Sequence, residues 1–472
     1  MIASTELYLA DSLSCLGYCY DVKLCQYDKA LSAYNDSLAL YRRNAGGRHL
    51  VVSNGLHNLA TIYVEMKRWK EALRCYVECI DIASQRKEGQ LLEPREEDLA
   101  DSLNGLGRVY TELKQFDMAE ESYQKSIDTI DKLCSSHKAF TGDKYTLILT
   151  NSISCMGKMY LSQAACLAAK WHAHNESNLL AAVSGGECPV RSPVQNASAI
   201  LSSRREAESK GEECLRKAIE NRRRTLVFIC RGTTIAEDSP TGIALTKALL
   251  RDSQSSSHAG LLLDLSCDLN YYGSLCFRRR SYEEAILCLK EALLILGERG
   301  SLSKNMSYGE EGELLVPTHL IVSTLLCLST SYSRVAMHEE SLDCLNKVLS
   351  LIESNSFKYL SAEDKTATFT SLIYPDMEKA NILYRIGVIK ANRENYSASS
   401  KFFMDAISLM QEVANRARAF HDVELTGAEE TNPKLTKGRS YEKGSKESTR
   451  LAMMHHITKI ISVKKPEEVK IN

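Results

Sequence analysis

Residues 9–17 read LADSLSCLG and residues 99–107 read LADSLNGLG. Seven of the nine positions are identical, and the second copy starts 90 residues after the first. Between them, VSNGLHNLATIY at 52–63 follows the same pattern as LADSLNGLGRVY at 99–110. The true period is therefore shorter than 90 residues, and self-similarity on that scale signals a repeat architecture.

With the small residue that closes each copy taken as repeat position 8, seven copies align on Gly17, Ala60, Gly107, Gly157, Gly273, Ser329 and Gly387. Four positions earlier stands an aliphatic residue: Leu13, Leu56, Leu103, Ile153, Leu269, Leu325 or Leu383. Three positions later stands tyrosine in five copies: Tyr20, Tyr63, Tyr110, Tyr160 and Tyr332. Spacings of three and four put these residues on one face of a helix. A second set follows. Position 20 is small (Ala30, Ala72, Ala119, Gly211, Ala285, Ser341, Ser399) and position 24 is bulky (Tyr34, Tyr76, Tyr123, Leu215, Leu289, Leu345, Phe403). Position 28 is aliphatic: Leu38, Ile80, Ile127, Ile219, Leu293, Leu349 and Ile407. Each copy thus predicts a pair of helices, and the small residue at position 8 lets the second helix approach the first closely. A single pair cannot bury its apolar face alone; stacking on its neighbours completes the core.

The remaining composition agrees. The 472 residues contain only 8 Pro, all outside the repeat cores. Pro94, Pro317 and Pro375 stand where first helices are predicted to begin, Pro94 and Pro375 with acidic residues after them, the order that a helix N-terminus favours. Lys+Arg and Asp+Glu number 59 and 60, a formal net charge of −1, which excludes a chain-wide basic footprint for nucleic acid or anionic membrane. No apolar run reaches the roughly 18 residues of a membrane span, and residues 1–20 lack a basic secretory n-region, so a cytoplasmic protein is expected.

Gly157 and Gly273 are 116 residues apart, against 43 to 58 for the other neighbouring anchors. Residues 172–203, rich in Ser, Asn, Gly and Ala with two Pro, are read as a flexible insertion that splits the fourth copy, whose second helix then starts near Arg204. The expected organisation is copies 1 to 4 over 1–171, the insertion at 172–203, the rest of copy 4 and copies 5 to 7 over 204–421, and a tail at 422–472. A second irregular stretch is expected at 231–258. The tail is basic, with ten Lys/Arg against four Glu from Lys434 onwards, and is expected to be mostly disordered apart from a capping helix at 447–461.

The small–aromatic–small–bulky order over residues 5–413 resembles the tetratricopeptide repeat. The resemblance implies an all-α, right-handed superhelical solenoid of about seven helix pairs and a non-enzymatic scaffold that binds other proteins. Residues 46–63, GGRHLVVSNGLHNLATIY, carry Gly46, His49, Val52, Leu56, Asn58, Leu59 and Ala60 at the spacing of kinesin light chain repeats. That closer likeness implies a cargo adaptor; an obligate structural subunit of a larger complex is the alternative. In the tetratricopeptide family, positions 2, 5, 6 and 9 of the first helices face a concave groove. Here they include Asn54, His57, Asn58, Asn104, Arg108, Asn151, Lys158, Asn270, Asn381 and Arg385. An asparagine offers both a donor and an acceptor, which suits an extended peptide backbone. Asn58 and Asn104 lie in the two copies nearest the kinesin light chain pattern and are expected to matter most. Arg108 and Lys158 lead to an expectation of acidic residues flanking the bound segment. No copy has the Lys at position 5 that the chaperone-tail carboxylate clamp of this family requires.

Other chemistry has little support. Cys75, Cys214, Cys288 and Cys344 share position 23, and Cys15, Cys155 and Cys327 share position 6, as packing residues do. The 16 cysteines lack CxxC spacing, so neither a metal nor a disulfide framework is expected. HExxH, P-loop and GxSxG motifs are absent, and neither a catalytic site nor a cofactor is expected. Arg222–Arg224 and Arg278–Arg280 read as solvated helix ends rather than a nucleic-acid site.

Overall fold

The computed structural model describes residues 2–23, 26–84, 96–137, 144–183, 193–231, 242–252, 259–303, 318–353 and 369–429. All regular structure among them is helical. The helices are α1 (Ile2–Tyr18), α2 (Tyr27–Ala45), α3 (Leu50–Glu65), α4 (Trp69–Ser84), α5 (Glu96–Glu112), α6 (Phe116–His137), α7 (Lys144–Val183) and α8 (Pro193–Arg231). There follow α9 (Ile243–Asp252), α10 (Ala259–Arg278), α11 (Tyr282–Ser303), α12 (Thr318–Arg334), α13 (His338–Glu353), α14 (Phe369–Asn392) and α15 (Tyr396–Glu429). The chain forms two compact units, Met1–Val335 and Ala336–Asn472. In the first, α1/α2, α3/α4, α5/α6, α7/α8 and α10/α11 are antiparallel pairs, stacked so that α2 meets α3, α4 meets α5, α6 meets α7, α8 meets α10 and α11 meets α12. In the second, α14 pairs with α15 and α13 packs on α14.

In five of the inter-helix turns one residue takes the left-handed conformation. Lys67, Lys114, Arg280, Ala336 and Glu394 all have φ between 57° and 66°, and all fall seven residues after their anchor. In four of them the next residue donates its N–H to a carbonyl five back: Arg68 to Tyr63 (2.8 Å), Gln115 to Tyr110 (2.9 Å), Ser281 to Cys276 (3.0 Å) and Asn395 to Lys390 (3.0 Å). This is the Schellman closure, which satisfies carbonyls left over at the end of a helix. The donor residue then starts the second helix, since its own carbonyl accepts from Ala72, Ala119, Ala285 or Ser399. The turn therefore places position 20 against the first helix, and all seven residues at that position are buried.

The anchors pack as expected. A methyl group on Gly107 would lie 2.6 Å from the Tyr123 ring, and one on Gly387 2.8 Å from Phe403, so position 8 is small because position 24 rests on it. Hydroxyls fasten the pairs further: Ser37 donates to the Ala10 carbonyl and Ser126 to the Ala100 carbonyl, both at 2.7 Å and both linking position 27 to position 1. Position 28 departs from expectation in one place. Ile407 is 49% exposed, because no helix after α15 covers that face among the described residues.

Four boundaries differ from the sequence reading. α7 runs on to Val183 and α8 begins at Pro193, so much of 172–203 is helical, and only 184–192 lies outside the described residues. Residues 174–183 contain Leu and Ala and neither Gly nor Pro, and Pro193 opens α8 at the position where its missing N–H costs nothing. α14 starts at Phe369, so Pro375 stands inside the helix and not at its start. α9 occupies part of the irregular stretch at 231–258. α15 extends past 421 to Glu429. The tail from 430, with the suggested helix at 447–461, and Pro94 and Pro317 lie outside the described residues.

Candidate peptide-binding face

The first helices α1, α3 and α5 of three successive pairs frame a cavity of about 480 Å³. α3 contributes Asn54, His57 and Asn58, with Asn54 exposed and the other two half-buried. His57 is fixed. Ser102 Oγ donates to the Asp98 carbonyl (2.8 Å), which leaves its lone pairs to accept from His57 Nδ1 at 2.9 Å. His57 Nε2 then faces Asp101 Oδ2 at 3.6 Å, and the ring stands edge-on to Tyr76. The walls are acidic: Asp11 from α1 and Asp98 and Asp101 from α5 line the cavity, and among the described residues no Lys or Arg does. Tyr41 Oη donates to Asp11 Oδ1 at 2.6 Å and holds that carboxylate in place.

A second cavity, of about 760 Å³, lies farther along the same unit, where α5, α7, α10 and α12 meet. Arg108, Lys158 and Arg278 line it together with the rings of Trp69, Tyr271 and Phe277. Lys158 is not free to meet a partner's charge. Its Nζ lies 2.7 Å from Asp268 Oδ1 and 5.4 Å from the centre of the Tyr271 ring. Asp268 is fully buried. It also binds Arg222 Nε at 2.8 Å and accepts from Ser154 Oγ at 2.6 Å. Burial alone would raise its carboxyl; the charges of Lys158 and Arg222 outweigh it and hold the group below the ordinary carboxylate range. Arg222 continues the network to Asp264 (3.1 Å) and to Asn151 Oδ1 (2.9 Å).

The predicted groove residues therefore divide. Asn54, His57 and Asn58 share the first cavity, and Arg108 and Lys158 the second. Asn151 is spent on Arg222. Asn104 is 7% exposed and Asn270 9%, so neither presents its amide at the surface; Asn270 Nδ2 donates to Ser323 at 3.1 Å. Asn381 is exposed and Arg385 half-buried in the second unit. The sequence reading missed Asp11 and Asp101. Both occupy position 2, the position of Asn54, so the signal was present in LADSL itself. The Asp268–Arg222 network joins residues 46 apart in the chain and carries no such local signal.

The cysteines at position 23 are packing residues. Burial pushes the thiols of Cys75 and Cys214 up to about 11 and that of Cys288 up to about 12, and Cys344 is buried. Among the described residues no helix is long and apolar enough to cross a membrane.

Two family models of the tetratricopeptide repeat match the chain, at residues 8–85 and 100–130. No curated protein sequence matches it. Solved structures similar to it include BtubC (BKLC) from P. vanneervenii, 12% identical, with 72% of this chain and 96% of that one covered and a TM-score of 0.41. Aspartyl phosphate phosphatase F from Bacillus subtilis is 11% identical over 86% of this chain and 84% of its own, with a TM-score of 0.39. The TPR2AB-domain:pHSP90 complex of yeast Sti1 is 14% identical over 84% of this chain and 98% of its own, with a TM-score of 0.24.

Proposed function

We propose that this chain, a tetratricopeptide repeat protein and so by class a protein–protein interaction scaffold, holds extended peptide segments of its partners along the first-helix face of the unit Met1–Val335. The observation that carries this reading is the row Asn54, His57 and Asn58, whose polar side chains line a cavity framed by three successive first helices. An extended backbone offers alternating N–H and C=O groups, and side-chain amides can satisfy both kinds as the peptide sheds water. The tetratricopeptide repeat is in general a non-catalytic module, in keeping with a binding role. Arg278 and Arg108, the latter 4.0 Å from Glu65, line the second cavity together with Glu112 and support acidic residues in the segment that lies there, whereas Lys158 is held by the buried Asp268. The kinesin-light-chain-like run at 46–63 forms most of α3 and its approach, and that likeness in sequence is what favours a cargo-adaptor role in particular.

The test is photo-crosslinking. A benzophenone amino acid at Asn54 should capture a partner's peptide, and the same probe at the exposed Glu121 on α6 should not. Capture at Glu121 alone would move binding off this face.

A second reading, an obligate structural subunit, has one observation behind it: α1 leaves Tyr8, Leu9 and Leu16 exposed at 72%, 51% and 43%. Exposed apolar residues on one helix favour a permanent neighbour. Gel filtration separates the two, since a receptor elutes as a monodisperse monomer and an orphaned subunit aggregates.

A further inference from the structure

We propose that the chain associates with further copies of itself head to tail, with α15 of one molecule seated on α1 of the next. This goes beyond the peptide-receptor reading and does not depend on it. The repeat itself shows what belongs on the outer stripe of a first helix. In copies 2 to 7, positions 3, 7 and 10 of that helix are all buried. The preceding second helix packs there: a methyl group on Gly55, at position 3 of α3, would lie 3.2 Å from Leu38 Cδ1, at position 28 of α2. On α1 the same positions hold Ser12, Leu16 and Cys19, and all three are exposed, as is Leu9 at position 0 of the same stripe. Second helices carry the other half of the contact. Positions 21 and 28 are buried or half-buried in copies 1 to 6, whereas Ser400 and Ile407 on α15 are exposed. Among the described residues no helix precedes α1 and none follows α15. One molecule therefore carries both halves of the repeat's own stacking contact, each without its complement. In the assembled pair Ile407 would rest on Ser12, flanked by Leu9 and Leu16, as Leu38 rests on Gly55. A solenoid that stays single keeps its end faces polar, and bare Leu and Ile at both ends favour burial. A two-fold contact of α1 with a second α1 would leave α15 uncovered; the head-to-tail contact covers both, and it is heterologous, so each molecule uses two different surfaces.

The experiment is sedimentation velocity on the full-length chain, over a wide concentration range and under reducing conditions that keep the exposed Cys15 and Cys19 from cross-linking. The wild type should associate reversibly as its concentration rises. Leu16→Glu and Ile407→Glu should each raise the dissociation constant by more than about 10-fold and sediment as monomers, because each would bury a carboxylate without a partner. An equal mixture of the two variants is the decisive sample. The first keeps a sound α15 and the second a sound α1, so the mixture should form dimers of twice the monomer mass and nothing larger. A wild type that stays monomeric throughout would overturn the proposal; a loss of thermal stability in Ile407→Glu would then place residues 430–472 of the same chain on α15. Dimers that persist in Ile407→Glu alone would overturn it in favour of α1 pairing with α1. A mixture that stays monomeric, or a wild type that aggregates irreversibly, would also overturn it.

Discussion

Five residues carry the left-handed turn, and none of them is glycine. An L side chain in that region costs on the order of 1 kcal/mol, and glycine avoids the cost. Lys67 is exposed, with φ of 57°, so Lys67→Gly should stabilise the chain by on the order of 0.5 kcal/mol once the extra freedom of the unfolded glycine is counted. Lys67→Val should destabilise it, because a β-branched side chain fits the left-handed region worst. Urea denaturation of the two variants checks both signs, and a Gly variant weaker than wild type would contradict the turn geometry. The thiols give a second readout at this scale. Cys15 and Cys19 are exposed, while Cys75, Cys214, Cys276 and Cys288 are held protonated by burial. An aromatic disulfide reagent at pH 8 should therefore label Cys15 and Cys19 first, the half-buried Cys75, Cys214 and Cys288 more slowly, and the buried Cys276 only after urea is added.

At the level of elements, the α7, α8 and α10 junction depends on Asp268. Asp268→Asn would leave Lys158 with no carboxylate partner and Arg222 with Asp264 alone. Removing one partner from a buried ion pair costs on the order of 3 kcal/mol, because the remaining charge stays out of water. The direction with pH follows from the lowered carboxyl. Its folded value lies below the unfolded one, so its contribution is complete above the ordinary carboxylate range and is lost as pH falls through the folded value. Urea midpoints at pH 7 and pH 3 should show wild type losing stability on acidification and the Asn variant, already weaker at pH 7, losing less. Equal acid sensitivity in both would remove Asp268 from this role. Much of the element plan was legible in the sequence, since positions 8, 20 and 24 repeat with every helix pair and report on neighbours within one hairpin. The run-on of α7 and α8 into the insertion was not legible. Ser, Asn and Gly in 172–203 suggested a loop, whereas the Leu and Ala after Asn178 allow helix to continue from an established end. The buried network was equally invisible, because a contact between chain-distant residues has no period.

At the scale of the whole molecule, the proposed binding surface is the first-helix face of the unit Met1–Val335. Part of that proposed face was legible in the sequence. Asn54, His57 and Asn58 follow from the repeat phase, while Asn104 shares the phase and is nonetheless buried, because phase alone does not say how closely the next helix packs. Asn54 and Asn58 are thus the pair to remove. Neither belongs to the apolar set that builds the core, so Asn54→Ala with Asn58→Ala should leave the circular dichroism and the urea midpoint unchanged. Calorimetric titration of a partner peptide into wild type and this double variant tests the central claim most directly. At about 0.5–1.5 kcal/mol per hydrogen bond, the variant should bind roughly 5- to 150-fold more weakly. Unchanged affinity in a folded double variant would contradict the account and place the peptide elsewhere on the chain.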